Sequence, residues 1–392
     1  MGDGNSFPPP FLPRRRPPTK KILLILAVAA IPLSAAAWTV FHVLFQAPST
    51  YPTGAYPLDV AVLDIDGDSE LDVLTANRDG RSISILTGRG DGTLAPREDI
   101  SLEVGATSLV LADMNGDGNQ DIVASGCEPG CSDSNIMIFH GSGDGRFDRG
   151  PTFPMSGVPY NVSVADLDRD DRLDIIASDY PGNRILLLLS AWDSSGFEEL
   201  SLPTGEKPIA LSVADLNADG IPDLVSSDHG SGGSSVYLSY GNGEFSERLE
   251  VETGELPYSI ALASVDQDDL PDLVVAHSTD PGRITVLQGR GDGTFTLRQS
   301  FEVVGRLVFV DLADFDDDGS LDVVVTRERE SFAGVFLNEG DGFLDEREIR
   351  VEVQNRIYSL AVVDLDHDPF PDLVTVDYEQ STVSVSLGKR PE

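Results

Sequence analysis

The chain has 392 residues, with 27 Lys and Arg against 66 Asp and Glu, for a formal net charge of −39. So acidic a chain repels phosphate, which excludes a basic nucleic-acid binder, and two cysteines exclude a disulfide-built scaffold. Hydrophobic residues make up 40% and sit in short regular clusters, enough to bury a core, while like charge at this density points to bound cations.

Residues 1–21 are rich in proline and carry Arg14, Arg15, Arg16, Lys20 and Lys21, which reads as a basic cytoplasmic tail. The stretch 22–44, running on through Phe45, has no Asp, Glu, Lys or Arg. About 20 apolar residues cross the hydrocarbon core of a bilayer. The basic cluster in front predicts a cytoplasmic N-terminus and an exported remainder. A transmembrane signal-anchor helix is therefore expected at 22–44, with residues 45–392 extracytoplasmic, either periplasmic or at the cell surface. A cleaved signal peptide is the rival, with Ala35-Ala36-Ala37 as a small-residue cleavage site and a secreted product. The apolar run beyond Trp38 favours the anchor.

Internal repeats dominate the rest of the chain. Seven nine-residue stretches recur: Asp64–Asp72, Asp113–Asp121, Asp166–Asp174, Asp215–Asp223, Ser264–Asp272, Asp314–Asp322 and Asp364–Asp372. Their starts lie 49, 53, 49, 49, 50 and 50 residues apart. An alternating apolar run precedes each and a β-branched run follows, the pattern of a hairpin around a polar turn. A third run comes next, then a glycine-rich turn closing on an apolar residue (Leu94, Phe147, Phe245, Phe295, Phe343), then a more polar strand. Four antiparallel strands per unit of about 50 residues, repeated radially, make a β-propeller blade. The fold class is thus all-β, a seven-bladed propeller over 45–392. The last unit lacks its fourth strand, and residues 45–53 are expected to supply it and close the ring, removing open sheet edges. Just before the loops stand Leu63, Ala112, Ala165, Ala214, Ala263, Ala313 and Val363, small residues suited to strands crowded round an axis.

The loops carry oxygen donors at positions 1, 3, 5 and 9. These are Asp64, Asp66, Asp68 and Asp72; Asp113, Asn115, Asp117 and Asp121; Asp166, Asp168, Asp170 and Asp174; Asp215, Asn217, Asp219 and Asp223; Asp266, Asp268 and Asp272 after Ser264; Asp314, Asp316, Asp318 and Asp322; and Asp364, Asp366, Asp368 and Asp372. With a backbone carbonyl at position 7 and water, such a set suits Ca²⁺ better than Mg²⁺. Loop thiolates and imidazoles are absent apart from His367 at a non-ligand position, which disfavours zinc or copper. An EF-hand would need a glutamate at position 12, where Thr75, Ala124, Ala177, Ser226, Val275, Val325 and Thr375 stand. Position 6 favours glycine for the sharp turn. Loops 113–121, 215–223 and 314–322, with Gly118, Gly220 and Gly319, are therefore expected to bind best, up to seven ions in all. Ser264 weakens loop five, and Pro369 reshapes loop seven.

The D-x-D-x-D-G-x-x-D loop in a hairpin, followed by the glycine turn and an aromatic, resembles the FG-GAP/VCBS repeat, which also forms the propeller of integrin α subunits. The resemblance covers 45–392. It implies calcium binding and a role in adhesion or ligand binding, in a family that also holds lectins and propellers attached to enzymes.

If the metal loops lie on one face, a ligand falls to the other. Tyr160, Tyr258 and Tyr358 recur six residues before their loops, and the connections between second and third strands add Asn77, Arg78, Asp179, Tyr180, Asp228, His229, His277, Arg327, Asp377 and Tyr378. Exposed there, they would form a face for an extracellular protein or a glycan; the alternative is that they only shape the turns. Cys127 and Cys131 are expected to form a disulfide in an oxidising compartment. No G-x-S-x-G or H-E-x-x-H occurs, so a non-enzymatic binding module is expected, and a lyase or glycosidase using His229 and His277 is the runner-up.

Overall fold

The computed structural model describes residues 44–128, 134–190, 197–354 and 356–389. The expected anchor helix therefore lies outside the described residues, except for its last residue, Leu44. Among the described residues no helix is long and apolar enough to cross a membrane.

Seven four-stranded antiparallel sheets follow one another around a ring. The innermost strands are Pro57–Leu63, Gly105–Ala112, Pro159–Ala165, Pro208–Ala214, Pro257–Ala263, Leu307–Ala313 and Ile357–Val363. Each touches its neighbour, and the seventh touches the first. Second strands run Asp72–Asn77, Asp121–Cys127, Asp174–Asp179, Asp223–Asp228, Asp272–His277, Asp322–Arg327 and Asp372–Asp377, and every described residue in them is buried. Burial on both faces explains their β-branched runs.

The seventh sheet joins the two ends of the chain. Ser49–Pro52 pairs antiparallel with Thr382–Ser386, with Ser49 opposite Val385 and Pro52 opposite Thr382. Leu44–Phe45 forms a separate short pair with Gly388–Lys389.

Seven apolar clusters hold the ring, one at each seam between neighbouring blades. Blades one and two share Ile65, Leu74, Leu109 and Ile122, and blades six and seven share Phe315, Val335, Leu360 and Leu373. The second residue of each loop takes part: Ile65, Leu167, Leu216, Val265, Phe315 and Leu365 are buried and Met114 partly so, each in the seam with the next blade. The loops are thereby tied to inter-blade packing.

A second set of ties lines the axis. Asp59 accepts from Ser108 Oγ at 2.7 Å and Leu109 N at 3.1 Å. Ser108 Oγ accepts from Val162 N, Asn161 Oδ1 from Leu211 N, and Ser259 Oγ from Val310 N, at 3.2–3.3 Å. Asp311 accepts from Val362 N, and His229 Nδ1 lies 3.2 Å from Pro257 O. Each bond joins one blade to the next. Burial raises the pKa of Asp59, and that of Asp311 to about 6.

One turn differs from its reading in the sequence. In blade six Leu344, not Phe343, closes the glycine turn. Leu344 bridges Asn338 and is buried, whereas Phe343 is 50% exposed.

Candidate metal centres and the channel mouth

Each nine-residue loop wraps its backbone around its own carboxylates. Asp113 accepts from the N–H groups of Gly116, Asp117 and Gly118 at 2.7–3.1 Å, and Asp166 does the same for Arg169, Asp170 and Asp171. Pointing successive N–H groups inward requires left-handed backbone at two positions. Position 6 is left-handed not only at Gly118, Gly220 and Gly319 but also at Ser69, Asp171 and Asp269. Position 4 is left-handed in all seven, at Gly67, Gly116, Arg169, Ala218, Gln267, Asp317 and His367. Left-handed backbone costs a non-glycine residue roughly 1–2 kcal/mol, so lack of glycine weakens these loops without changing their shape. Loop seven differs: Pro369 has no N–H to give Asp364 and stays outside the left-handed region.

The aspartate at position 9 has a further role. Asp72 accepts from Ile65 N at 3.0 Å and from Gly88 N at 2.8 Å, one bond per oxygen. The same two bonds recur at Asp121, Asp174, Asp223, Asp272, Asp322 and Asp372. This residue staples the loop to the end of the third strand, a role the sequence pattern did not reveal. Burial pushes Asp72, Asp174 and Asp223 up to about 6, and Asp322 and Asp372 to about 7.

Three carboxylates converge, with oxygens within 4.8 Å of one another, at Asp64, Asp66 and Asp72; at Asp166, Asp168 and Asp174; at Asp314, Asp316 and Asp322; and at Asp364, Asp366 and Asp372. In loop six Asp316 Oδ1 is buried without a hydrogen-bond partner in the protein, a donor atom suited to a cation. Loops two and four put Asn115 and Asn217 at position 3, so at positions 1, 3 and 9 they offer two carboxylates and an amide oxygen. In loop two His140, from the third strand, comes within 3.2 Å of Asp121 and 3.3 Å of Asn115. Twenty-five residues separate His140 from Asn115, and no motif pointed to it. The donor sets thus suit a hard divalent cation.

The opposite end of the axis corrects one expectation. Tyr160 and Tyr258 are 8% and 7% exposed, and with Ile209 and Val308 they form an apolar plug that Tyr180 and Tyr358 flank. Tyr258 Oη donates to Tyr358 Oη at 3.0 Å, and Tyr160 Oη also meets Tyr358 Oη. At the first turn of the innermost strands the rings point to the axis, where they seal the channel. Burial drives the phenols of Tyr160 and Tyr258 well above their ordinary pKa. Below the plug lies a cavity of about 60 Å³ lined by Asp59, Ser108, Asn161, Ser259 and Ser359. Tyr378 is also buried.

Second-strand ends are likewise internal. Asp179 accepts from Val158 N, Asp228 from Gly205 N, and Arg327 donates to Val304 O. His277 is wholly buried between Glu255 O and Thr285 Oγ1, which lowers its pKa to about 4 and puts it out of a substrate's reach. Cys127 is buried, and Cys131 lies outside the described residues.

What reaches solvent is a rim around the plug. Tyr56, Tyr180, His229 and Tyr358 are half-buried. Tyr56 packs tilted against Tyr378 at 5.0 Å, and His229 meets Tyr258 edge to face at 5.6 Å. The Arg78 guanidinium sits 4.0 Å over Tyr56, and Lys207 Nζ 5.9 Å from Tyr180.

No curated protein matches the sequence. Among solved structures, BBS1N in complex with ARL6DN shares 14% identity at a TM-score of 0.63, covering 90% of this chain and 98% of that one. A protein from Lactobacillus plantarum shares 14% at 0.57, covering 82% and 95%. A catalytically inactive virginiamycin B lyase from Staphylococcus aureus with quinupristin shares 12% at 0.56, covering 88% and 99%. At these identities the likeness concerns the fold alone. The FG-GAP-like repeat matches residues 64–124, 127–177, 215–275, 265–325 and 314–375, and with its loops, staples and seven closed blades the chain belongs to the FG-GAP repeat β-propellers.

Proposed function

We propose that the chain is a calcium-stabilised binding module that takes a protein ligand on the rim of the plugged channel. The observation that carries this reading is the rim itself. On a chain of net charge −39, it gathers Tyr56, Tyr180, Tyr358 and His229 beside Arg78, Lys207 and Arg356. Tyrosine and arginine on a rigid base are the residues that dominate protein interfaces. The fold also carries a protein partner in BBS1N with ARL6DN.

Calcium, when bound, supplies two positive charges to a loop that keeps its converging oxygens. Asp64, Asp66 and Asp72 and their counterparts hold it, and Ile65 and its counterparts pass the resulting rigidity into the seams. The apolar stretch 22–44 anchors the module in a membrane with the propeller outside the cytoplasm; its charge-free length and the basic residues before it support this.

An extracellular-protein array and a glycan array, probed with the full chain in Ca²⁺, test the ligand class. Captured proteins should be lost on Tyr180→Ala or Arg78→Ala, while the fold persists by circular dichroism. Capture on glycans alone would replace the protein reading, and turnover of a captured ligand would replace the module.

A further inference from the structure

Blade five departs from the other six at its loop. Ser264 stands at position 1, where the others have aspartate, and its hydroxyl is buried without a partner in the protein. The three carboxylates that remain are not among the convergent groups of the described residues. Asp266 instead gives one oxygen to side chains from outside the loop. Its Oδ2 accepts from Arg298 Nη1 at 2.6 Å and from Gln288 Nε2 at 2.8 Å. Both charged side chains are mostly buried, with Arg298 17% and Asp266 7% exposed.

Register shows how unusual this is. Three residues beyond the closing residue of the glycine turn, blades one, four, five and six carry Arg97, Arg248, Arg298 and Arg347. Arg97 pairs with Asp99 at 3.4 Å, Arg248 with Glu250 at 3.2 Å, and Arg347 with Asp345, each two residues away in sequence. Arg298 has Thr296 and Ser300 at those places, and the carboxylate on its own strand, Glu302, pairs with Arg283 at 3.8 Å. It reaches the loop instead. Its Nη2 also donates to Asp341 O in blade six, and its guanidinium lies 4.9 Å over the Phe343 ring. Gln288 occupies a position that is leucine in blades three, four, six and seven (Leu189, Leu238, Leu337, Leu387).

One carboxylate has thus been lost and one fixed cation gained at the same loop. A buried ion pair of this kind compensates a carboxylate best when its geometry is good; Gln288 adds a second donor to Asp266 Oδ2 and Asp341 O accepts from Arg298 Nη2, while Asp266 Oδ1 and Arg298 Nε are buried without a partner in the protein. We propose that blade five holds no metal, and that the Arg298 guanidinium supplies from within the positive charge that calcium supplies to the other loops. This rests on reading those loops as calcium sites. Blade five would then stay ordered when calcium is withdrawn, and Arg298 would latch it to blade six through Asp341.

The test counts calcium per chain by equilibrium dialysis of the full-length protein in detergent, and records melting in chelator. Ser264→Asp with Arg298→Met should bind one more ion than wild type. In chelator Arg298→Met alone should lower the melting midpoint by several degrees, and Asp266→Asn in the same chain should recover part of that loss by removing the unpaired carboxylate. Equal counts for wild type and a folded double variant would overturn the proposal. So would an unchanged midpoint for Arg298→Met, or a loss that Asp266→Asn does not relieve; these two decide the matter if the double variant fails to fold. A wild-type count of zero would instead remove the calcium reading of all the loops, a result separate from the fate of Arg298 in the chelator melts.

Discussion

Ser359 Oγ donates to Asp59 Oδ1 at 2.9 Å, although 300 residues separate the two. This bond spans the seam where the seventh blade meets the first, and Asp59 passes the link on to Ser108 and Leu109 of the second blade. Removing Asp59 therefore strips acceptors from donors on both neighbours at once. Asp59→Ala should cost roughly 2–4 kcal/mol of stability, because buried donors are left unsatisfied. Asp59→Asn, which keeps an acceptor oxygen, should cost less. Urea unfolding of the two variants checks the order; equal losses would mean that the channel carboxylate does not join the blades.

Calcium should raise the melting midpoint, since a ligand of the native state alone stabilises it by mass action, and Mg²⁺ at equal concentration should do less. The gain should grow with pH. Without metal, Asp72, Asp174 and Asp223 have folded pKa values near 6, and Asp322 and Asp372 near 7, against about 4 unfolded. Groups raised in this way leave stability intact below about pH 4 and remove it as pH climbs through 6 and 7. Calcium relieves the same charges. The midpoint difference between Ca²⁺ and chelator should thus widen from pH 5 to pH 7.5, and a difference that is flat or shrinking would speak against these aspartates as ligands.

The tyrosine plug can be followed by its own absorbance. Tyr160 and Tyr258 are raised well above 10 by burial, so their stabilising contribution holds at neutral pH and disappears as pH passes their folded values. In an alkaline titration the plug phenols should ionise only together with unfolding. Tyr358→Phe, which removes the hydroxyl that Tyr160 and Tyr258 share, should lower stability by about 1 kcal/mol. Simple titration of every tyrosine near pH 10 would contradict the sealed channel.

Orientation at a membrane is testable in a Cys127→Ser, Cys131→Ser background. The described chain begins at Leu44–Phe45, with the Phe45 ring 6.2 Å from Phe315 in loop six, so an anchor would enter on the metal-loop side. A single cysteine at Glu255, exposed on the rim side, should label faster on intact cells than one at Asn242 in a glycine turn on the loop side. The reverse order, or equal rates, would mean that the propeller is not held by its N-terminus.

Much of this architecture was legible in the chain. The even spacing of the loops gave the blade count, and period-2 patterns flanking each loop gave its hairpin. What escaped was whatever depends on direction within the ring. Tyr160, Tyr258 and Tyr358 share one register position, but register alone does not say whether a ring points to solvent or to the axis, and inward rings from several blades fill the same small space. Glycine at position 6 was a sound marker of a left-handed turn, yet Ser69 and Asp171 adopt the same backbone because a carboxylate behind them collects their N–H groups. His140 and Arg298 reach their loops from other strands, 25 and 32 residues away in sequence, a distance no loop motif records.

Closure by Ser49–Pro52 also sets an order in time. These residues are made long before their partners Thr382–Ser386; Tyr56 N likewise waits for Ser381 Oγ, 325 residues later. At ordinary elongation rates that delay is on the order of half a minute, during which the first blade is without its neighbour on one side. Until that pairing forms, the nascent propeller is an open arc with an unpaired edge at its first blade. A circular permutation that moved this strand behind Ser386 would let every blade finish before the next one emerged.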